Sequence, residues 1–234
     1  MVLDLLAFDA DDTLWQNETH YLHTRDRFKE LLRGYINVDH LEENLNQIEL
    51  ENLTYFGYGI KSFILSMIQT AGQLTNGCIT SMDMLKIVQF AKDMLDAPVE
   101  LLPGVREVIQ QVSQDFDLMI ITKGDLLDQR RKLSRSGLEG YFKWVEVVTD
   151  KTPDVYRKLF ETHHIVPERF LMIGNSLRSD ILPVVSLGGQ AVYIPYHLTW
   201  SHEHDIDHFT TLNGYHEIGD IVHLPEIIQQ ICNE

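Results

Sequence analysis

Between Pro103 and Ile194 the chain alternates short apolar runs with amphipathic stretches, and this alternation narrows the choice of fold more than any other feature. Phe116–Thr122, Trp144–Val148, Phe170–Gly174 and Gln190–Ile194 are mostly apolar and rich in β-branched and aromatic residues, the pattern of buried strands. Helical stretches lie between them. Pro103 reads as the first residue of a helix running to about Gln114. Leu126–Ser136 is closed by Gly137, and Thr152 followed by Pro153 reads as the N-cap and first residue of a helix ending near His163. Ile181–Leu187 is a further short helix. Parallel strands need a long crossover, usually a helix, so repeated β–α alternation predicts a parallel sheet with helices on both faces. The expected fold is an α/β, Rossmann-like core.

One more strand, Leu3–Phe8, ends at Asp9 and stands apart from the others. From about Gln16 to Asp96 the sequence changes character. Tyr21–Leu32, Leu41–Phe56, Ile60–Ala71 and Met82–Leu95 carry apolar residues at spacings of three and four, and Gly57, Gly59, Gly72 and Gly77 punctuate them. Thr80 with Asp83 has the form of a capping box. No strand pattern interrupts this stretch. The chain therefore divides into a core of residues 1–15 and 97–234 and an all-helical cap of residues 16–96, inserted after the first strand.

The formal net charge of −16 repels nucleic acid backbones and anionic membranes, so neither is expected as a partner. It also repels a phosphorylated substrate, so any phosphate site has to supply local cations. No apolar stretch approaches the roughly 20 residues that span a bilayer. The N-terminus has no basic start and its apolar run is broken by acids, so it does not read as a signal peptide. Cys78 and Cys232 form neither a disulfide framework nor a CxxC metal pair. A cytoplasmic location is expected.

In sheets of this kind ligands bind beyond the carboxyl ends of the strands. Four strand ends carry suggestive groups: Asp9-Ala10-Asp11-Asp12-Thr13, Thr122-Lys123-Gly124, Asp150-Lys151-Thr152, and Gly174-Asn175-Ser176 with Asp180 shortly after. These residue types suit phosphoryl transfer, where positioning and charge neutralisation dominate catalysis. A carboxylate such as Asp9 can attack phosphorus and split the reaction into two easier steps. A second acid, Asp11, can protonate the leaving group and later activate water. Mg²⁺ prefers hard oxygens, which Asp9, the backbone carbonyl of Asp11, and the Asn175/Asp180 segment offer. Thr122, Lys123, Gly124 and Lys151 supply hydroxyl, amide and ammonium donors for phosphoryl oxygens.

Taken in order, these motifs resemble the haloacid dehalogenase-like hydrolase superfamily. Asp9, Asp11 and Thr13 match its D-x-D-x-T; Thr122 matches the strand-end hydroxyl of its second motif; Lys151 matches the lysine before a helix; Gly174 and Asp180 match its G-D-x-x-x-x-D. The resemblance covers nearly the whole chain. It implies Asp9 as nucleophile, Asp11 as general acid/base, Thr122 and Lys151 as phosphate and nucleophile partners, Mg²⁺ as cofactor, and a helical cap of the first type. The expected reaction is hydrolysis of a small-molecule phosphomonoester through an aspartyl-phosphate. Two positions depart from the pattern. Asp12 stands where the family often has Gly, and Asn175 where it usually has a metal-binding Asp. An amide oxygen ligates Mg²⁺ without contributing charge, so Asp180 is expected to supply more of it.

Other readings fit the same residues. A phosphotransferase or mutase passes the phosphoryl group to a second hydroxyl instead of water. A haloacid dehalogenase needs no acid to protonate its leaving group, and Asp11 argues against it. A non-catalytic ligand-binding protein on this fold has only Asn175 in its favour. In the cap, Tyr58 and Lys61 beside Gly57 and Gly59 are expected to select the leaving group. Ser176 and Arg178 either line the site or cap the next helix. The histidines between His197 and His216, including His202-Glu203-His204-Asp205, lack zinc-site spacing and read as a solvated loop with Trp200 and Tyr196 packed against the core.

Overall fold

All four residues of Leu5–Phe8 are buried, which requires a central strand in a sheet covered on both faces. The structure, a computed structural model, describes residues 2–198 and 214–233. Among these residues six strands form one sheet: β1 Leu5–Phe8, β2 Asp117–Lys123, β3 Trp144–Val148, β4 Phe170–Gly174, β5 Gln190–Tyr193 and β6 Tyr215–Glu217, in the order β3-β2-β1-β4-β5-β6. Every pairing is parallel. The described helices are α1 Glu18–Leu32, α2 Leu41–Phe56, α3 Ile60–Leu74, α4 Ser81–Asp96, α5 Val105–Val112, α6 Leu126–Ser136, α7 Pro153–His163, α8 Leu182–Ser186 and α9 Leu224–Asn233. None is long and apolar enough to cross a membrane.

Strand side chains alternate between faces, and the two halves of the alternation build two cores. Leu6, Phe8, Ile120 and Ile173 pack with Val108 and Ile109 of α5, Leu133 of α6, and Leu224, Ile228 and Ile231 of α9. Leu5, Ala7, Met119, Ile121 and Met172 pack with Tyr156, Leu159 and Phe160 of α7 and Val184 of α8. This is the α/β arrangement that the alternating sequence predicts.

Chain order and strand order part company at β1. From β1 the sheet grows through β2 to β3, then restarts on the other side of β1 with β4. That reversal opens a crevice beyond the carboxyl ends of β1 and β4, since the crossovers leave in opposite directions. Phe8 pairs with both Ile120 and Ile173, so Asp9, Thr122, Gly174 and Asn175 all fall within two residues of one rung.

The chain forms two compact units, one of Met1–Glu18, Val99–Lys123 and Gln129–Glu234, the other of Thr19–Pro98 and Gly124–Asp128. The second has its own core, including Phe28, Leu45, Ile60, Phe63, Met67, Ile87 and Phe90 from α1 to α4. Thr80 caps α4 by accepting from the Asp83 N–H at 3.1 Å, as the sequence predicts. Within this unit the 124–128 segment is held by Lys61, which pairs with Asp125 at 2.9 Å, and by Gly59, where a Cβ would lie 3.0 Å from the Asp125 backbone nitrogen.

Three local expectations change. Pro103 does not open α5. An antiparallel bridge between Trp15 and Leu101 keeps the preceding chain extended, and the helix starts only after Gly104, whose φ of 75° and tight packing against Val222 exclude a side chain. The helix expected from Ile181 is preceded by a π-turn, Leu177–Ile181. Strand β6 and helix α9 were not expected from the sequence. β6 has only three residues, none buried, whereas the buried Leu224, Ile228 and Ile231 of α9 keep a regular helical spacing. The histidine-rich stretch with Trp200, His202, His204 and His208 lies outside the described residues.

Gly174 ends β4 with no room for a side chain, because a Cβ there would overlap the carboxylate of Asp180. Overpacking of this kind costs roughly 1–3 kcal/mol. Gly174→Ala should therefore lower the melting temperature by several degrees. An unchanged melting curve would show that Asp180 does not pack on Gly174.

Candidate active site

Asp9 follows β1 directly, its backbone N–H donating to Ile173 O at 2.9 Å. The chain then curls back on itself. The Leu14 N–H donates to Ala10 O and the Asp12 N–H to Trp15 O, both at 2.8 Å. This curl needs a left-handed residue, and Asp12 supplies it with φ of 62°. Asp tolerates that region better than most residues, which explains how it stands where the family often has Gly. Its carboxylate accepts from the N–H groups of Asn17 at 2.8 Å and Glu18 at 3.0 Å, capping the start of α1. Burial pushes the Asp12 carboxyl up to about 7.

The curl also aims Thr13 back at the strand end. Its hydroxyl lies 3.2 Å from Asp9 Oδ2 and 3.3 Å from Asn175 Oδ1. A hydroxyl has one proton, so it satisfies one of these acceptors at a time.

Lys151 is the centre of the cluster. Its side chain is 1% exposed, and its ammonium donates to Asp9 Oδ1 and, at 2.6 Å, to Asp180 Oδ1. Burial alone would drive the proton off this amine, but the two carboxylates hold its pKa above the ordinary lysine value. Burial pushes the Asp9 carboxyl up to about 7, against the pull of Lys151 and with the repulsion of Asp180. The cluster thus holds two carboxylates and one ammonium in a dry setting. The other Asp180 oxygen, Oδ2, accepts from the Ser176 N–H at 3.0 Å.

The π-turn is anchored on the same cluster. Lys123 donates to Ser179 Oγ at 2.9 Å and the buried Tyr156 hydroxyl to Ser179 O at 3.2 Å. Burial, then the two carboxylates, raise the Tyr156 phenol well above its usual range. Ser176 acts as the cap of this turn, accepting from the Ser179 N–H at 3.1 Å. π-turns occur frequently at functional sites.

Asp11 has a different setting. Its carboxylate accepts from Trp15 Nε1 at 2.7 Å, Gln129 Nε2 at 2.8 Å and Lys132 Nζ at 3.0 and 3.1 Å.

The structure therefore brings Asp9, Lys151, Asp180, Asn175 and Thr13 into one bonded cluster, with Lys123 joined to it through Ser179. Thr122 is 2% exposed and, among the described residues, its hydroxyl reaches only Lys123 O, at 3.4 Å. Gly124, at φ of 128°, opens the segment that belongs to the helical unit, where Tyr58 and Lys61 also lie. Sequence reasoning missed Trp15, Gln129 and Lys132. A signal existed for the last two: they lie three apart on α6, and Gln129 is four residues before the buried Leu133, on the side of the helix that packs on the sheet.

Among the described residues no group of three His, Cys, Asp or Glu side chains is arranged as a metal site. A hard cation held here would have to draw its oxygens partly from other groups, such as the Asn175 amide or a backbone carbonyl. Two observations fit a hard cation: the excess of carboxylate over ammonium around Asp9, and the single Thr13 hydroxyl shared between Asp9 Oδ2 and Asn175 Oδ1.

Removing the ammonium leaves Asp9 and Asp180 facing each other without a cation, and breaking a buried pair in this way costs about 3–5 kcal/mol. Lys151→Met should be destabilised on that scale in a chemical denaturation experiment at neutral pH. A loss below about 1 kcal/mol would mean that the two carboxylates are solvated and not buried around the lysine.

Relatives bear on what such a cluster does. A sequence profile of the haloacid dehalogenase-like hydrolases matches residues 3–188. A solved haloacid dehalogenase-like family hydrolase from Xanthomonas campestris is 36% identical, with a TM-score of 0.88 over 98% of this chain and 92% of that one. A 2-haloacid dehalogenase from Pseudomonas syringae shares the fold at 18% identity, with a TM-score of 0.67 over 98% and 99% of the two chains. Among characterised proteins, the glyceraldehyde 3-phosphate phosphatase of Pyrococcus furiosus is 28% identical over 100 residues, 40% of this chain and 42% of that protein. The match thus spans about two fifths of the phosphatase. With the motif residues gathered at one sheet edge and the profile running through them, the chain belongs to the haloacid dehalogenase-like hydrolases.

Proposed function

We propose that this hydrolase is a phosphatase acting on a small phosphomonoester through an aspartyl-phosphate. The observation that carries the reading is the pair of carboxylates at the end of β1. Asp9 is buried on an ammonium, and Asp11, two residues on, is held apart by its own donors. A dehalogenase needs only the first of these, because halide leaves without a proton. A phosphatase acting on an alkyl ester needs both.

In the first step an Asp9 oxygen attacks phosphorus, the bond from phosphorus to the ester oxygen breaks, and Asp11 gives its proton to that oxygen. The products are the free alcohol and an acyl-phosphate on Asp9. In the second step water attacks phosphorus and gives a proton to Asp11; inorganic phosphate leaves and the Asp9 carboxylate is restored. Lys151 orients Asp9 through a direct hydrogen bond and offsets the incoming phosphate charge. Thr122, Lys123 and Gly124 are proposed to hold the phosphoryl oxygens. Mg²⁺, when bound, neutralises phosphoryl charge, and Asp9, Asn175, the Asp11 carbonyl and Asp180 are the residues proposed to hold it.

The matched glyceraldehyde 3-phosphate phosphatase supports a small phosphorylated metabolite as substrate. Leaving-group choice is assigned to Tyr58 and Lys61 of the helical unit, on either side of Gly59.

Wild-type protein should hydrolyse members of a panel of small phosphate esters only with Mg²⁺ present, and Asp9→Asn should lose at least roughly 10³-fold in kcat. Equal turnover by the variant would eliminate Asp9 as nucleophile. Halide release from 2-chloropropionate by the wild type, without phosphatase activity, would favour the dehalogenase reading. Tyr58→Ala and Lys61→Ala should change kcat/KM unequally across the panel; unchanged values for every ester would end their assigned role.

A further inference from the structure

Asp11 has more donors than an isolated carboxylate at a strand end requires. Trp15 and Lys132 serve Oδ1, and Gln129 and Lys132 serve Oδ2. Trp15 belongs to the same turn as Asp11. Gln129 and Lys132 come from α6, so they fix how the carboxyl group is rotated and not the path of the turn. Rotation about that terminal bond is otherwise soft, because its torsional preference is broad.

The two α6 residues are themselves well held. Gln129 is 4% exposed, and its Nε2 also donates to Lys123 O at 3.1 Å, so one amide joins the ends of β1 and β2. Two acceptors face that end of the side chain, which fixes it as the NH₂ end. The other end, Oε1, is buried with no hydrogen-bond partner among the described residues. An unbonded buried amide oxygen opposes folding, so stability alone does not account for glutamine here. Lys132, 15% exposed, also donates to Asn17 Oδ1 at 2.7 Å. Asn17 is in turn held at its backbone N–H by Asp12, so the lysine rests against a fixed residue.

We infer that Gln129 and Lys132 are positioning residues for proton transfer. They hold the Asp11 carboxyl group in the rotation from which it serves the leaving-group oxygen and then the attacking water. This rests on the phosphatase reading above. Neither residue touches the reacting atoms in this role; both act through Asp11.

A purely structural tie between α6 and the β1 turn would predict different kinetics. An alkoxide leaving group needs a proton from Asp11, whereas p-nitrophenolate departs without one. The ratio kcat/KM reports only the steps through formation of the phosphoenzyme. Misrotation of Asp11 therefore penalises alkyl esters selectively.

The experiment measures kcat/KM of wild type, Gln129→Leu, Lys132→Met and Lys132→Arg with glycerol 2-phosphate and with p-nitrophenyl phosphate, Mg²⁺ present, and checks each fold by circular dichroism. Gln129→Leu and Lys132→Met should lose about 10²-fold on glycerol 2-phosphate and less than about 3-fold on the aryl ester, with KM little changed. Lys132→Arg should recover part of the loss. Equal losses on the two esters, or no loss on either, would overturn the inference while leaving the phosphatase reading intact. Should Lys132→Met fail to fold, Gln129→Leu, which removes no charge, decides alone. If the wild type turns over neither ester, the same comparison is made with an alkyl and an aryl ester that it does hydrolyse; turnover of no ester in the panel would instead overturn the phosphatase reading, and the inference with it.

Discussion

Lys151 and the two carboxylates it holds, Asp9 and Asp180, form the interaction on which the rest of the site depends. An ammonium with 1% exposure is unfavourable in isolation, and so is either buried carboxylate. Each is tolerable only because the others are there. The three residues arrive from three different strand ends, so the cluster exists only when β1, β3 and β4 are all in register. Around it the local chain has been shaped to fit. Gly174 lacks a side chain where Asp180 packs, the π-turn carries Asp180 back under β4, and Ser176 lends its N–H to the second Asp180 oxygen. This is a weak device for stability and a strong one for specificity of structure, because a shift of any partner leaves a charge bare.

Strand order does the remaining positioning. β1 lies between β2 and β4, and the reversal of chain direction at β1 clears the space beyond its carboxyl end. A residue placed one step past Phe8 reaches that space whatever its chemistry. What makes Asp9 distinctive is the dryness provided by the two hydrophobic cores on either side of the sheet. Burial raises the cost of its charge, and that cost makes the lysine an effective partner.

Much of this was legible in the sequence because its signals are local. Thr152-Pro153 and Thr80 with Asp83 declare helix starts through their own side chains, and the structure places α7 and α4 there. Asp9, Lys151 and Asp180 were readable as strand-end groups, although they are far apart in sequence. What the sequence concealed depends on contacts between distant segments. The Trp15–Leu101 bridge delays α5 beyond Pro103, and no local rule contains it. Strand β6 is too short to carry a pattern and exists by pairing with β5. For Gln129 and Lys132 the shared helix face could be read, but not that this face meets Asp11 in the β1 turn. Helix α9 is the exception: its Leu224, Ile228 and Ile231 keep a helical period that was open to reading.

The two carboxylates of the D-x-D pair illustrate how one short segment acquires two environments. Asp9 sits where burial dominates, bonded to Lys151 and Thr13, and its charge is expensive unless cations stand beside it. Asp11 sits 22% exposed among four directed hydrogen bonds, so fixed donors supply much of the solvation of its charge. The first setting favours a carboxylate that bonds to an electrophile, since little hydration has to be stripped away before attack. The second controls the orientation of the carboxyl group, which the proposed acid/base role requires. The left-handed backbone at Asp12 separates them, turning the chain so that neighbours in sequence face different surroundings. A single left-handed residue thereby gives two identical side chains different surroundings, which a continuous strand, with both on the same face, would have left in one environment.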